Sequence, residues 1–137
     1  INLYPVSNSP NAKSYVSIYG NDPYECLKPQ VNKKLWFKGV QLQFDDVDSN
    51  DPENNLYIIT DEQSDLLVAF LKEIHFCETE VDLVIHCWAG VSRSAAVGKF
   101  ANDLFKLDLP NYSRLMLYNR AVYSQLLKAW QRSLDNE

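Results

Sequence analysis

The sequence predicts a single α/β domain over residues 1–137, with a mostly parallel central sheet flanked by helices. Three observations carry this expectation. The 137 residues match the usual size of one domain, ~100–150 residues. Strand-like segments precede helical ones along the chain. A short aliphatic run, Leu83-Val84-Ile85, leads through a loop of small residues into a helical pattern, as a central strand of a parallel sheet does.

Each element has its own local reason. Ser14 to Tyr19 reads as a strand that ends in the turn Gly20-Asn21-Asp22-Pro23. Val40, Leu42 and Phe44 alternate with Gln41 and Gln43, the period of a second strand. Asp45 to Glu53 is a polar, acidic loop. Thr60 with Gln63 three residues later forms a capping-box pattern and opens a helix, whose apolar face is expected to carry Leu66, Leu67, Phe70, Leu71 and Ile74. Leu83 to Ile85 reads as a strand buried on both faces. Ala96, Val97, Phe100, Ala101 and Leu104 then repeat at helical spacing, and Pro110 breaks the chain. Helical stretches follow near Tyr112 to Tyr118 and over Ala121 to Leu134, the latter burying Val122, Leu126, Leu127 and Trp130; Tyr118 and Tyr123 read as partly buried helix residues.

Composition excludes several classes. Apolar residues are 46% and charged residues 23%, which rules out collagen-like, disordered and coiled-coil chains. No apolar run approaches the ~18–20 residues of a membrane span, so no membrane association is expected. The Asn-rich opening, Ile1 to Pro10, lacks the basic flank and apolar core of a signal peptide. Because the chain opens on Ile1 rather than Met, residues are expected upstream of it. Eighteen acidic against thirteen basic residues give a net charge of −5, with no isolated basic block. A surface that tracks nucleic-acid phosphates needs a basic stripe, so no nucleic-acid partner is expected. Cys26, Cys77 and Cys87 make an odd count without paired spacing, pointing to thiols in a reducing, intracellular or cytoplasmic compartment. His75 with Cys77 and His86 with Cys87 are too few ligands, at unsuitable spacings, for zinc. The size suits a monomer.

The chemistry sits in Leu83 to Val97, LVIHCWAGVSRSAAV. Cys87 lies at the end of the strand and the entrance to a helix, with five residues between it and Arg93. Ala89, Gly90 and Ser92 are small, and Gly90 tolerates positive φ. A short loop closing into a helix turns successive N–H groups inward, building an anion nest backed by the helix dipole. Arg93 adds a bidentate contact to two oxygens. A lone arginine at a helix start is electrostatically unfavourable, which itself points to an anion partner. The same field favours the thiolate of Cys87 and lowers its pKa. The same donors match the oxygens of a phosphoester whose phosphorus faces sulfur. The hydroxyl of Ser94 is placed to donate to that sulfur.

The segment HCWAGVSRS resembles the His-Cys-x5-Arg-Ser/Thr signature of the cysteine-dependent protein phosphatases, and its A-G-x-S-R-S filling is similar to that of the compact dual-specificity subset. The resemblance extends more loosely from about Ser14 to Trp130. It implies a phosphate-binding loop between the central strand and the next helix. It further implies Cys87 as nucleophile, Arg93 as phosphate clamp, and the amides of Trp88, Ala89, Gly90, Val91, Ser92 and Arg93 as the cradle. His86 would be a buried hydrogen-bonding partner that organises the loop, and Ser94 would assist breakdown of a phosphocysteine. Neither metal nor organic cofactor is implied. The substrate would be a phosphorylated protein, with phosphoserine and phosphothreonine admitted beside phosphotyrosine because the short chain shows no extra loop to deepen the pocket.

The family also uses a general acid on an upstream loop, which protonates the leaving oxygen and then activates water. The loop after Phe44 offers Asp45, Asp46, Asp48 and Asp51. Asp46 lies 41 positions before Cys87 and matches the Phe-x-Asp pattern of similar phosphatases. Strand alternation ends at Phe44 and leaves Asp45 open as the alternative, and either carboxylate can instead serve to cap a turn. Asn119 resembles a position that supports the loop, although a helix cap explains it as well. Trp88 either lines the mouth of the pocket or packs behind it. Cys26 and Cys77 read as buried apolar fillers. Alternatives on the same loop are phosphoinositide or RNA 5′-phosphate hydrolysis, which the absence of lysine in WAGVS disfavours, and a catalytically inactive phosphoprotein-binding module. Sulfur transfer and arsenate reduction also use anion-cradling cysteine loops, but the former needs no upstream acid and the latter places its loop near the amino terminus.

Overall fold

A computed structural model describes residues 12–21, 38–77, 80–87, 92–107 and 117–136. Among these residues three strands, β1 (Ala12–Tyr19), β2 (Lys38–Gln43) and β3 (Val81–His86), form an all-parallel sheet in the order β2-β1-β3. The described helices α1 (Asp61–His75), α2 (Arg93–Phe105) and α3 (Arg120–Asp135) flank it, and α3 packs against both others. This is the expected α/β architecture. The turn at Asp22-Pro23, Cys26, Pro110 and most of the stretch expected to be helical near Tyr112 to Tyr118 lie outside the described residues; Tyr118 itself is not helical.

Among the described residues the central strand is β1 rather than the Leu83–Ile85 run. Val16 sits opposite both Val40 of β2 and Ile85 of β3. Five consecutive β1 residues, Ser14 to Ile18, are buried, as a strand covered on both faces requires. In β3 only Val81, Asp82 and Leu83 are buried, while Val84, Ile85 and His86 are partly open. Gly39 faces Tyr15 across the ladder, and the tyrosine ring fills the space a Cβ at position 39 would need.

The core joins Val16, Ile18, Leu42, Phe44, Leu83, Val97 and Phe100 to Leu67, Leu71 and Leu126 of the outer helices. The buried stripe of α1 runs through Ser64, Leu67, Val68, Leu71 and Ile74. Leu66 stands about 100° around the helix from Leu67 and is 52% exposed, against expectation. In α3 the stripe is Val122, Leu126 and Ala129, which leaves Leu127 exposed for the same reason; Trp130, one turn after Leu126, is half-buried and packs against the core. The capping box forms: Thr60 Oγ1 accepts from Gln63 N at 3.1 Å, and Gln63 Oε1 accepts from Thr60 N at 2.9 Å. Gln63 Nε2 also donates to Gln43 O at 2.8 Å, tying the start of α1 to the end of β2. No helix among the described residues is long and apolar enough to cross a membrane.

α2 stops at Lys106, which adopts φ 56° and ψ 45° and donates its N–H to Asn102 O. This left-handed conformation strains any residue with a Cβ. Lys106→Gly is therefore expected to raise the unfolding free energy by about 0.5–1 kcal/mol, measured in urea.

Candidate functional site

Four segments meet at the carboxyl end of the sheet: the end of β3, the start of α2, the loop after β2 and the residue that opens α3. Cys87 follows β3 and is 8% exposed. Its thiol donates to Ser94 Oγ at 3.3 Å; with the sulfur ionised, the hydroxyl becomes the donor of the same pair. Arg93 is the first residue of α2 and is buried. Its Nη1 donates to Phe44 O at 2.9 Å, so the guanidinium is anchored to the chain just past β2.

Ser92 precedes α2, where serine commonly caps a helix through its side chain. Here that hydroxyl makes no cap bond and donates instead to Asp46 Oδ1 at 2.8 Å. Asn119 is the helix cap expected of it, and it also bonds to the loop after β2 and to Ser92. Its Oδ1 caps α3 by accepting from Val122 N at 3.1 Å. Its Nδ2 donates to Asp46 Oδ1 at 2.7 Å and to Val47 O at 3.3 Å, and its backbone N–H donates to Ser92 O at 3.0 Å. Asp46 is exposed, and neither bond to its carboxylate uses Oδ2.

The two adjacent aspartates therefore have different work. Asp45 is 3% exposed and turned away from this cluster. Its Oδ1 accepts from Asn21 N at 2.7 Å, and its Oδ2 accepts from Asn21 Nδ2 at 3.0 Å and Tyr57 N at 2.8 Å. It pins the loop between the buried anchors Phe44 and Ile59. Residues 46–48 and 118–120, with Ser92, line an open cleft of about 350 Å³.

His86 is half-buried rather than buried, and that burial lowers its pKa below 6.5. A histidine that resists protonation in the folded state costs nothing above pH 6.5; stability is lost as pH falls below that value, where the unfolded chain binds the proton better. The thermal midpoint of the wild type is expected to fall more between pH 7 and pH 5.5 than that of His86→Asn. Equal slopes contradict this.

Cys77 is a half-buried thiol rather than a buried filler. The cradle positions Trp88, Ala89, Gly90 and Val91 lie outside the described residues. Among the described residues no three His, Cys, Asp or Glu side chains gather where a metal could sit. Sequence reasoning missed the Phe44 carbonyl, the Asn21 and Tyr57 donors to Asp45, and the bond from Ser92 to Asp46. No pattern announces these, because each joins residues distant in the chain. The chemical content of the cluster is a thiol, a buried guanidinium held by the Phe44 carbonyl, and a carboxylate with one oxygen outside its local bonds. No protein-family model, curated protein or solved structure matches the chain.

Proposed function

We infer that the protein is a phosphatase that hydrolyses phosphotyrosine, and phosphoserine or phosphothreonine, in protein substrates through a phosphocysteine. The observation that carries this reading is the bond between Asp46 and Ser92. It couples a carboxylate 46 residues upstream to the residue next to Arg93, the clamp of a loop that begins at Cys87.

The chemistry runs in two steps. The Cys87 thiolate attacks phosphorus, the ester P–O bond breaks, and the electron pair leaves on the substrate oxygen. Asp46 gives that oxygen a proton. Arg93 holds two phosphoryl oxygens as charge builds on them. Water then attacks the phosphocysteine while the Asp46 carboxylate takes its proton. The P–S bond breaks with its electrons on sulfur, where the Ser94 hydroxyl donates to the departing thiolate, and inorganic phosphate is released. No metal or organic cofactor takes part, and the protein acts as a monomer without nucleic acid. A reducing compartment follows from the same chemistry, since oxidation removes the nucleophile.

Turnover of p-nitrophenyl phosphate tests this. Full rate in the presence of a metal chelator supports it. A requirement for added divalent metal, or binding of phosphotyrosine without turnover, overturns it; the second result marks a binding module.

A further inference from the structure

Resting on the phosphatase reading, we propose that Arg120 selects substrates that carry an anionic group beside the phosphorylated residue. Arg120 is exposed on the rim of the cleft that Asp46 and Ser92 share. Its guanidinium carbon lies 5.3 Å from the centre of the Tyr118 ring, and Nη1 donates to Tyr118 Oη at 3.5 Å. Tyr118 packs edge-on against Tyr123, with ring centroids 5.4 Å apart. Tyr123 is in turn fixed by its hydroxyl, which donates to Asp103 Oδ2 at 2.7 Å. The guanidinium thus rests on a built aromatic platform, a form of preorganisation that lowers the entropic cost of binding.

Among the described residues no carboxylate is within ion-pair distance of Arg120. Most of its five donors are therefore available to a ligand. Position ties this group to the reacting centre. Asn119, the preceding residue, holds Asp46 at 2.7 Å, and Asp46 meets the leaving oxygen. An extended substrate advances roughly 3.3–3.6 Å per residue, so side chains one to three positions from the phosphoresidue fall within reach of an arginine here. The planar fork accepts either a carboxylate or a second phosphate. Asp48 lines the same cleft with the opposite preference. It has no platform or hydrogen bond that fixes it among the described residues, so Arg120 is expected to dominate.

The test is kcat/KM on peptides with one phosphotyrosine and with Ala, Glu, phosphoserine or Lys at each flanking position in turn. It is run on wild type, Arg120→Ala and Arg120→Lys, with p-nitrophenyl phosphate as a control on the wild type. Each readout is a ratio within one protein, so a general loss of activity does not affect it. The wild type is expected to favour Glu over Ala about fivefold at one or more positions, as an exposed ion pair allows. Phosphoserine is expected to exceed Glu, which separates the two anion sources. Both preferences should collapse to near unity in Arg120→Ala and survive in part in Arg120→Lys. No preference in the wild type, a preference for Lys, or a Glu preference that persists in Arg120→Ala overturns the proposal. If the wild type turns over p-nitrophenyl phosphate but shows no preference, only this inference fails; if it turns over nothing, the phosphatase reading fails with it.

Discussion

Cys87→Ser is expected to lower kcat on p-nitrophenyl phosphate by at least about a thousandfold, with little change in stability. A serine hydroxyl is scarcely ionised at neutral pH, so replacing sulfur removes the nucleophile while leaving the geometry nearly intact. Cys87 is 8% exposed, and its thiol meets the Ser94 hydroxyl, a contact that an oxygen at the same place can also make. The variant should therefore remain folded and still bind tungstate competitively with phosphate. Retained turnover would remove Cys87 from the reaction. Loss of turnover together with loss of folding would show the thiol to be a packing residue, and circular dichroism separates the two.

The second large effect concerns the paired aspartates, which are expected to dissociate cleanly. Asp46→Asn should reduce kcat on a phosphotyrosine peptide by about a hundredfold or more, the usual scale of general acid catalysis. The loss should be smaller on p-nitrophenyl phosphate, whose leaving group needs protonation less. Stability should change little, because Asp46 is exposed. Asp45→Asn should do the reverse. Asp45 is buried, and both its oxygens accept bonds from Asn21 and Tyr57. An amide there turns one acceptor into a donor facing other donors, which is expected to cost about 2–4 kcal/mol in chemical denaturation. If Asp45→Asn stays folded and is the slower catalyst, the roles of the two residues are exchanged.

Much of this architecture is legible in the sequence for simple reasons. The period-2 pattern of β2, the capping box of α1 and the helical spacing of α2 are local, and local patterns survive folding. The centre of the sheet is not local. Ser14 to Tyr19 contains two serines and two tyrosines and looks no more buried than Leu83 to Ile85, yet β1 is the strand paired on both sides. Ser14 and Ser17 are fully buried there, and their hydroxyls have no partner among the described residues. Leu66 and Leu127 read as apolar-face residues because they are leucines, but rotation by one residue puts each outside its stripe.

The site divides in the same way. Cys87, Arg93 and Ser94 are legible because they are close in sequence and their residue types carry a specific chemistry. Asp46 and Asp45 are adjacent and chemically identical, and strand alternation stops one residue before them. Their difference is set by Asn119 and Ser92, which lie 73 and 46 positions away from Asp46, and by Asn21, 24 positions from Asp45. Asn119 is readable as a helix cap from its place before α3, whereas its hold on Asp46 depends on how α3 packs beside the start of α2.

The most direct measurement is to quench the wild type in acid during turnover of a radiolabelled phosphotyrosine peptide and map the protein-bound label. Label on the peptide that contains Cys87, absent from Cys87→Ser and accumulating when Ser94→Ala slows the second step, is the predicted result. Label on a serine or aspartate, or steady turnover with no protein-bound phosphate at any time, contradicts a phosphocysteine and with it the proposed mechanism.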